Sequence, residues 1–310
     1  MRLTSIRVLY AVAGMAFLAA FNMPAQAGQL SFTDFEGFTT DVSVDGQGGW
    51  NSGPKWDESV VDIGGNTVWR VSNAVTAGSF GDMPFAPRPG GLPTTPATDP
   101  INSNPASFAG ESSTGAAFTR FFASFDFRSA TGAAQSGLSV TVSPDNGQGG
   151  RQSFVDLEDN GSSLDVVTYD VDAAGNFVGP MTIANGLSYT DWHTLAFELL
   201  FSDGSDNDVA NIFVDGSLVH TGTSWEQFYR FFQSALHPLG VPVQTLLFRI
   251  SGTAAGNTKG GGFYIDNVRT AVSNVPEPGT LMLFAFGLIG LAILRRRRTV
   301  TAARAPASMG

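Results

Sequence analysis

A chain of 310 residues, 43% hydrophobic and 14% charged, is long enough to bury a sizeable core. It contains no cysteine, which excludes disulfides, thiolate metal sites, a cysteine nucleophile and an acylated lipoprotein anchor. Seven of its 17 basic residues sit in two terminal segments, so the body keeps 10 basic against 26 acidic residues, a net of −16; that argues against nucleic acid as a partner, because phosphate contacts need a basic footprint.

The first 27 residues read as a secretory signal peptide. Arg2 and Arg7 supply the charged start, Val8 to Phe21 the apolar stretch, and Ala25-Gln26-Ala27 a small-residue cleavage site, with Ala25 and Ala27 at the recognised positions. The mature chain is expected to start at Gly28 and to have entered through the Sec machinery.

Residues 28–273 read as an all-β body. Short segments rich in Val, Ile, Phe, Tyr and Thr alternate with turns rich in Gly, Asn, Asp and Ser. Strands are expected over Phe32 to Phe38, Thr67 to Val71, Phe118 to Arg128, Leu138 to Val142 and Arg151 to Leu157. In Phe118 to Arg128 the residues Phe121, Ala123, Phe125 and Phe127 form one apolar face. Seven prolines between Met83 and Pro105 break any regular element and predict a long loop, a surface excursion or a cover over a binding face. Leu164 to Val171 and Gly175 to Ile183 read as a hairpin. Ser224 to Leu236 places Trp225, Phe228, Tyr229, Phe232 and Leu236 at helical spacing, the best helical signal in the body.

In the second half, Trp192 to Leu199 and Val209 to Val214 read as strands, and Asp215-Gly216 as a tight hairpin turn leading into Ser217 to His220. These pieces, with Gly262-Phe263-Tyr264-Ile265-Asp266-Asn267-Val268 near the end, resemble the concanavalin-A-like and laminin-G-like jelly rolls. The resemblance covers about 50 residues. It implies an antiparallel two-sheet jelly-roll sandwich with its termini close together.

Chemistry in the body is sparse. A retaining glycosidase needs two carboxyl groups about 5–5.5 Å apart, and no E-x-D-x-E run is present. Asp156 and Glu158 lie two apart but read as a solvated strand end. His193, His220 and His237 share no metal-ligand spacing, and no catalytic residue is assigned. Asp203, Asp206 and Asp208 crowd one loop and are candidate calcium ligands, although the same residue types suit any turn; calcium is the sole cofactor considered. Among the tryptophans, Trp69 and Trp192 are expected in the core. Trp50 and Trp56, in a Gly-rich stretch, are the candidates for exposed carbohydrate-stacking rings, and Trp225 is open to either fate.

The tail has three parts in fixed order: Val275-Pro276-Glu277-Pro278-Gly279-Thr280, an uncharged run from Leu281 to Leu294, and Arg295-Arg296-Arg297-Arg298. The prolines mark the outer boundary of a helix. The apolar run is short for a span, which wants about 20 residues, but with Gly279, Thr280 and snorkelling arginine stems it approaches that length. The arginine block is a cytoplasmic retention signal. This arrangement resembles the PEP-CTERM sorting signal of exopolysaccharide-producing Gram-negative bacteria. In that resemblance Pro276, Glu277, Pro278 and Gly279 form the recognition box, residues 279–294 a short transmembrane helix, and Arg295, Arg296, Arg297 and Arg298 the inner anchor. Residues 274–300 then make up the signal and 301–310 a cytoplasmic tail. The resemblance implies exosortase as partner, a transient stay in the inner membrane, and delivery to the cell surface or extracellular matrix. The expected function is a non-catalytic surface or matrix protein associated with exopolysaccharide and biofilm. A lectin-like carbohydrate-binding module and a carbohydrate-active enzyme are the alternatives.

Overall fold

The period-two segments become a two-layer antiparallel sandwich. The structure, a computed structural model, describes residues 28–53, 55–77, 83–94 and 108–274. The expected signal peptide, part of the proline-rich loop and the sorting tail lie outside the described residues. Among those described, no helix is long and apolar enough to cross a membrane.

The strands are β1 (Gln29–Thr33), β2 (Asp57–Asp62), β3 (Thr67–Ser72), β4 (Arg120–Ser129), β5 (Ser139–Asp145), β6 (Val155–Asp159), β7 (Leu164–Val171), β8 (Phe177–Leu187), β9 (His193–Leu200), β10 (Val209–Val214), β11 (Ser217–Thr223), β12 (Thr245–Arg249) and β13 (Phe263–Ser273). The first sheet runs β11-β10-β9-β4-β13-β3-β2, with β1 also paired to β13; the second runs β12-β5-β6-β7-β8. The pairing of Gln29 with Val272 brings the two ends of the body side by side, as the jelly-roll resemblance implies. One short α-helix, α1 (Glu226–Phe232), follows β11. It is briefer than the aromatic spacing predicts.

Alternation builds the core. Phe121, Ala123, Phe125 and Phe127 of β4 are all fully buried, as are Leu195 and Phe197 of β9 beside them. Facing them are Val140, Val142, Val155, Leu157, Leu164, Val166, Leu246 and Phe248 of the second sheet, all at most 1% exposed or fully buried. Phe248 joins the layers, edge-on to Phe125 at 5.2 Å and to Trp69 at 5.1 Å, the T-shaped geometry that aromatic quadrupoles favour.

Several expectations are corrected. The first strand ends at Thr33, because Phe35 turns the chain with φ 58 and enters the core. The first part of the proline-rich loop is no surface excursion. Pro84 to Pro87 are buried, Phe85 bridges to both Asn51 and Leu247, and the segment seals the open edge of β12. Strands β2 and β12 carry no clean alternation in sequence and appear only through their partners β3 and β5. The Asp215-Gly216 turn is confirmed, with φ 50 and 75 at its two residues, the left-handed pair that hairpin turns require.

Candidate functional site

The second sheet has an outer face as well as a core face. Because Val155 and Leu157 point inward, Phe154 and Asp156 point outward. By the same parity Tyr169 on β7, Thr141 on β5 and Arg249 on β12 share that outer side. Over this face lies a cleft of about 610 Å³, lined by Asn146, Gln148, Phe154, Tyr169, Phe177, Trp225, Phe228, Tyr229, Gln233, His237, Arg151 and Arg249, among others. That volume lies within the usual range of ligand pockets, roughly 300–1,000 Å³.

Its floor is aromatic. Phe154 and Tyr169 stack at 5.2 Å with 18° between planes, Trp225 meets Phe154 edge-on at 5.1 Å, and Phe177 lies 4.7 Å from Trp225. One wall is α1, tied down on the cleft side by Tyr229 and by Trp225, the residue before the helix. The Trp225 indole N–H donates to the Tyr169 carbonyl at 3.1 Å, and the Tyr229 hydroxyl donates to the Arg151 carbonyl at 2.9 Å. His237 leans edge-on against Tyr229 at 5.7 Å, and burial pushes its imidazole below the ordinary range. The opposite wall is the β5–β6 loop. There the carboxylate of Asp145 accepts from the backbone N–H groups of Gly147, Gln148 and Gly149 at 2.7, 3.1 and 3.0 Å. Gly147 has φ +79, and a Cβ there would lie 2.6 Å from the Gln244 amide nitrogen, so the loop needs glycine at this point.

Charge is distributed unusually. No carboxylate lines the cleft among the described residues, while two arginines do. Asp156 lies beside them. Burial raises its carboxyl, and a hydrogen bond from the Thr141 hydroxyl and the charges of Arg249 and Arg151 work in the opposite direction. Asp156 is therefore a half-buried carboxylate on the outer face beside these arginines, outside the cleft lining, and not a solvated strand end. Glu158 is also raised, first by burial and then by Asp156 and Asp165.

Three tryptophans, Trp50, Trp56 and Trp192, lie where the sequence did not place them. Trp50 is 2% exposed and Trp56 9%, so neither presents a stacking face. Trp50 packs 5.1 Å from Trp69, and the Trp56 indole N–H donates to the Ser52 carbonyl at 3.0 Å. Trp192, expected in the core, is 36% exposed and lies under the Arg128 guanidinium at 5.0 Å. Trp69 is buried as expected. Trp225 is the tryptophan that reaches the cleft. The one sequence signal for this site was the aromatic-rich helical segment after Ser224; Phe154, Tyr169, Phe177 and Arg249 gave none.

The acidic loop does not gather its carboxylates. Asp203 accepts from the Ser112 hydroxyl and the Ser113 N–H, and Asp206 is exposed with φ 62. Asp208 turns inward, accepting from the Ser202 N–H and the Ser224 hydroxyl, both at 2.9 Å. There it joins Glu111 and Glu226, one oxygen from each lying within 4.8 Å of the others. Burial lifts the Asp208 carboxyl to about 6; its two hydrogen-bond donors lower it and Glu111 adds to the rise.

Residues 274–298 match the PEP-CTERM protein-sorting motif. That motif implies processing by exosortase and a secreted protein held transiently in the membrane before reaching the cell surface. No curated protein matches the chain in sequence. Among solved structures the body is similar to alginate lyase Aly36B, at 10% identity over 78% of this chain and 96% of that one, with a TM-score of 0.44. It is also similar to alginate lyase vAL-1 from Chlorella virus, at 13% identity over 76% and 99%, TM-score 0.42. A third is the cellulose induced protein Cip1, at 14% identity over 79% and 98%, TM-score 0.36. At such identities nothing about ligand or chemistry transfers.

Proposed function

We propose that this is an exported protein which exosortase releases to the cell surface or matrix of a Gram-negative bacterium, where its sandwich binds an acidic polysaccharide of the biofilm in the aromatic cleft. The observation that carries the reading is the lining of that cleft. In a body of net charge −16, two arginines and no carboxylate meet a floor of aromatic rings. Sugar rings present apolar C–H faces that stack on aromatics, amides such as Asn146, Gln148 and Gln233 serve hydroxyl groups, and guanidinium groups suit uronate carboxylates. The role is binding rather than glycoside hydrolysis, which requires two carboxyl groups flanking the bond.

Titration of the exported protein with a soluble polyuronate and with a neutral glucan tests this reading. The polyuronate should bind, should weaken as salt rises, and should lose about tenfold or more in affinity on Phe177→Ala. Equal binding of both glycans would remove the charge argument, and silence with both would end the carbohydrate reading. Shortened chains with unsaturated ends would make the cleft catalytic. The sorting half is tested separately: mass spectrometry of the exported form should find Arg295 to Arg298 gone, and an intact Gly310 in a strain with active exosortase would overturn it.

A further inference from the structure

Glu111, Asp208 and Glu226 come from three separate places: the loop before β4, the residue before β10 and the first residue of α1. They are 3%, 5% and 2% exposed. Among the described residues, one cation serves them. Arg230, one turn along α1, donates to Glu226 through Nε and reaches Glu111 Oε1 through Nη2 at 2.6 Å. It also donates to the carbonyl of Gly204 at 2.7 Å. Ionised together, the three carboxylates would face one guanidinium among the described residues, leaving two negative charges uncompensated in a buried space, and an uncompensated buried charge is strongly unfavourable.

Two further observations show that more than charge is unanswered. Glu226 Oε2 is buried and has no hydrogen-bond donor. Neither does Gln152 Oε1, the carbonyl oxygen of a side chain 2% exposed. Gln152 adjoins Glu226 across Gly240: a Cβ at Gly240 would lie 3.1 Å from Glu226 Cγ and 3.7 Å from Gln152 Nε2. Both orphans are acceptors, so the missing partner must be a donor or a cation. An oxygen-only set with a surplus of two negative charges suits a hard divalent cation of the calcium type, and it contains no nitrogen or sulfur ligand that would favour zinc.

We propose that Glu111, Asp208 and Glu226 bind a calcium-like divalent cation beside Arg230, and that this ion fixes α1 as a wall of the cleft. The site is not the acidic loop. Asp203 and Asp206 lie outside it, and Asp208 belongs to it only because it turns inward.

The test uses the exported protein, stripped with chelator and titrated with calcium chloride while heat and melting temperature are followed. Terbium is a second probe, because Trp225 adjoins Glu226 and can sensitise its luminescence. One ion should bind per chain and raise the melting temperature. Glu226→Gln, which keeps a hydrogen-bonding group for Arg230, should lose at least about tenfold in calcium affinity. The double variant Asp203→Asn with Asp206→Asn should bind as the parent does. Absence of calcium heat, terbium luminescence and thermal shift in the folded parent would overturn the proposal. So would binding that survives Glu226→Gln but vanishes in the loop variant. A Glu226→Gln protein that fails to fold without calcium is replaced by Asp208→Asn, read in the same way. Loss of glycan binding with calcium binding intact would count against the cleft alone.

Discussion

Two aromatic clusters lie on opposite sides of the second sheet. The inner one, Trp50, Trp69, Phe125 and Phe248, is sealed, with no member more than 2% exposed. The outer one, Phe154, Tyr169, Phe177, Trp225 and Phe228, is built from similar residue types at similar spacings, 4.7–5.2 Å against 5.1–5.8 Å inside, yet Phe177 is 46% exposed. The inner rings are covered by a second sheet. The outer rings are covered by one short helix and a glycine loop, with a gap between them. Composition therefore does not distinguish a core from a binding surface; the completeness of the cover does.

The sharpest way to break this comparison is to truncate one ring from each cluster. Trp69→Ala should cost about 3–5 kcal/mol, because it opens a cavity and deprives Glu58 of the indole donor at 2.9 Å. The folded fraction should still bind glycan. Phe177→Ala should change stability by no more than about 1 kcal/mol and weaken glycan binding. Urea unfolding with parallel binding titrations reads both, and a reversed pattern would show the two clusters to be wrongly assigned.

An intermediate effect is expected from Tyr229→Phe. The hydroxyl donates to the Arg151 carbonyl in a buried position, and leaving that acceptor unpaired should cost roughly 1–3 kcal/mol. Because the bond holds α1 to the loop wall, binding should fall with it. Unchanged binding would mean that α1 is held well enough by its other contacts, among them Arg230 to Glu111 and Gln227 to the Ala173 carbonyl.

Two half-buried carboxylates extend the comparison to pH. Asp57 in the first sheet is opposed by burial, but hydrogen bonds from Arg70, Ser72 and the Gly260 N–H, with the Arg70 charge, carry it below the usual range. The unfolded chain then takes up its proton first as pH falls, so the stability Asp57 contributes is present above its unfolded value and is lost as pH drops through its folded one. Asp156, raised by burial, has the opposite sign: the folded form holds its proton longer, and stability declines as pH climbs from the unfolded value to the folded one. Acid unfolding curves of Asp57→Asn and Asp156→Asn should therefore diverge in opposite directions from the parent. Parallel curves would refute the assignment.

The smallest effect should come from Trp192→Ala. The ring lies at the surface under Arg128, and its loss should alter stability by about 1 kcal/mol or less, with no effect on glycan binding. A calorimetric melting curve suffices to check it.

The legibility of the chain follows from the range of each signal. Strand β4 could be read directly, because alternation over ten residues needs no information from elsewhere. The Asp215-Gly216 hairpin was equally local. Strands β2 and β12 were not legible. Thr245-Leu246-Leu247-Phe248-Arg249 carries three consecutive apolar residues because Leu247, on the outer face, is itself buried beside its edge partner Phe85, which removes the alternation. Trp50 and Trp56 were misplaced for a related reason: a Gly-rich neighbourhood suggests exposure, but here it lets the chain fold tightly against Trp69.

What the sequence determined by itself is the address and the class. A proline box, an apolar run and an arginine block are chemistry read along the chain, period-two alternation with turn residues marks an all-β body, and the jelly-roll resemblance implied its two-sheet packing. What only the tertiary structure decided is which side chains meet. Phe154, Tyr169 and Trp225 become one surface through strand parity and helix placement, and Glu111, Asp208 and Glu226 converge across more than a hundred residues of intervening chain. Such convergence is a property of packed layers, in which residues distant in sequence share one desolvated space. No local pattern encodes it.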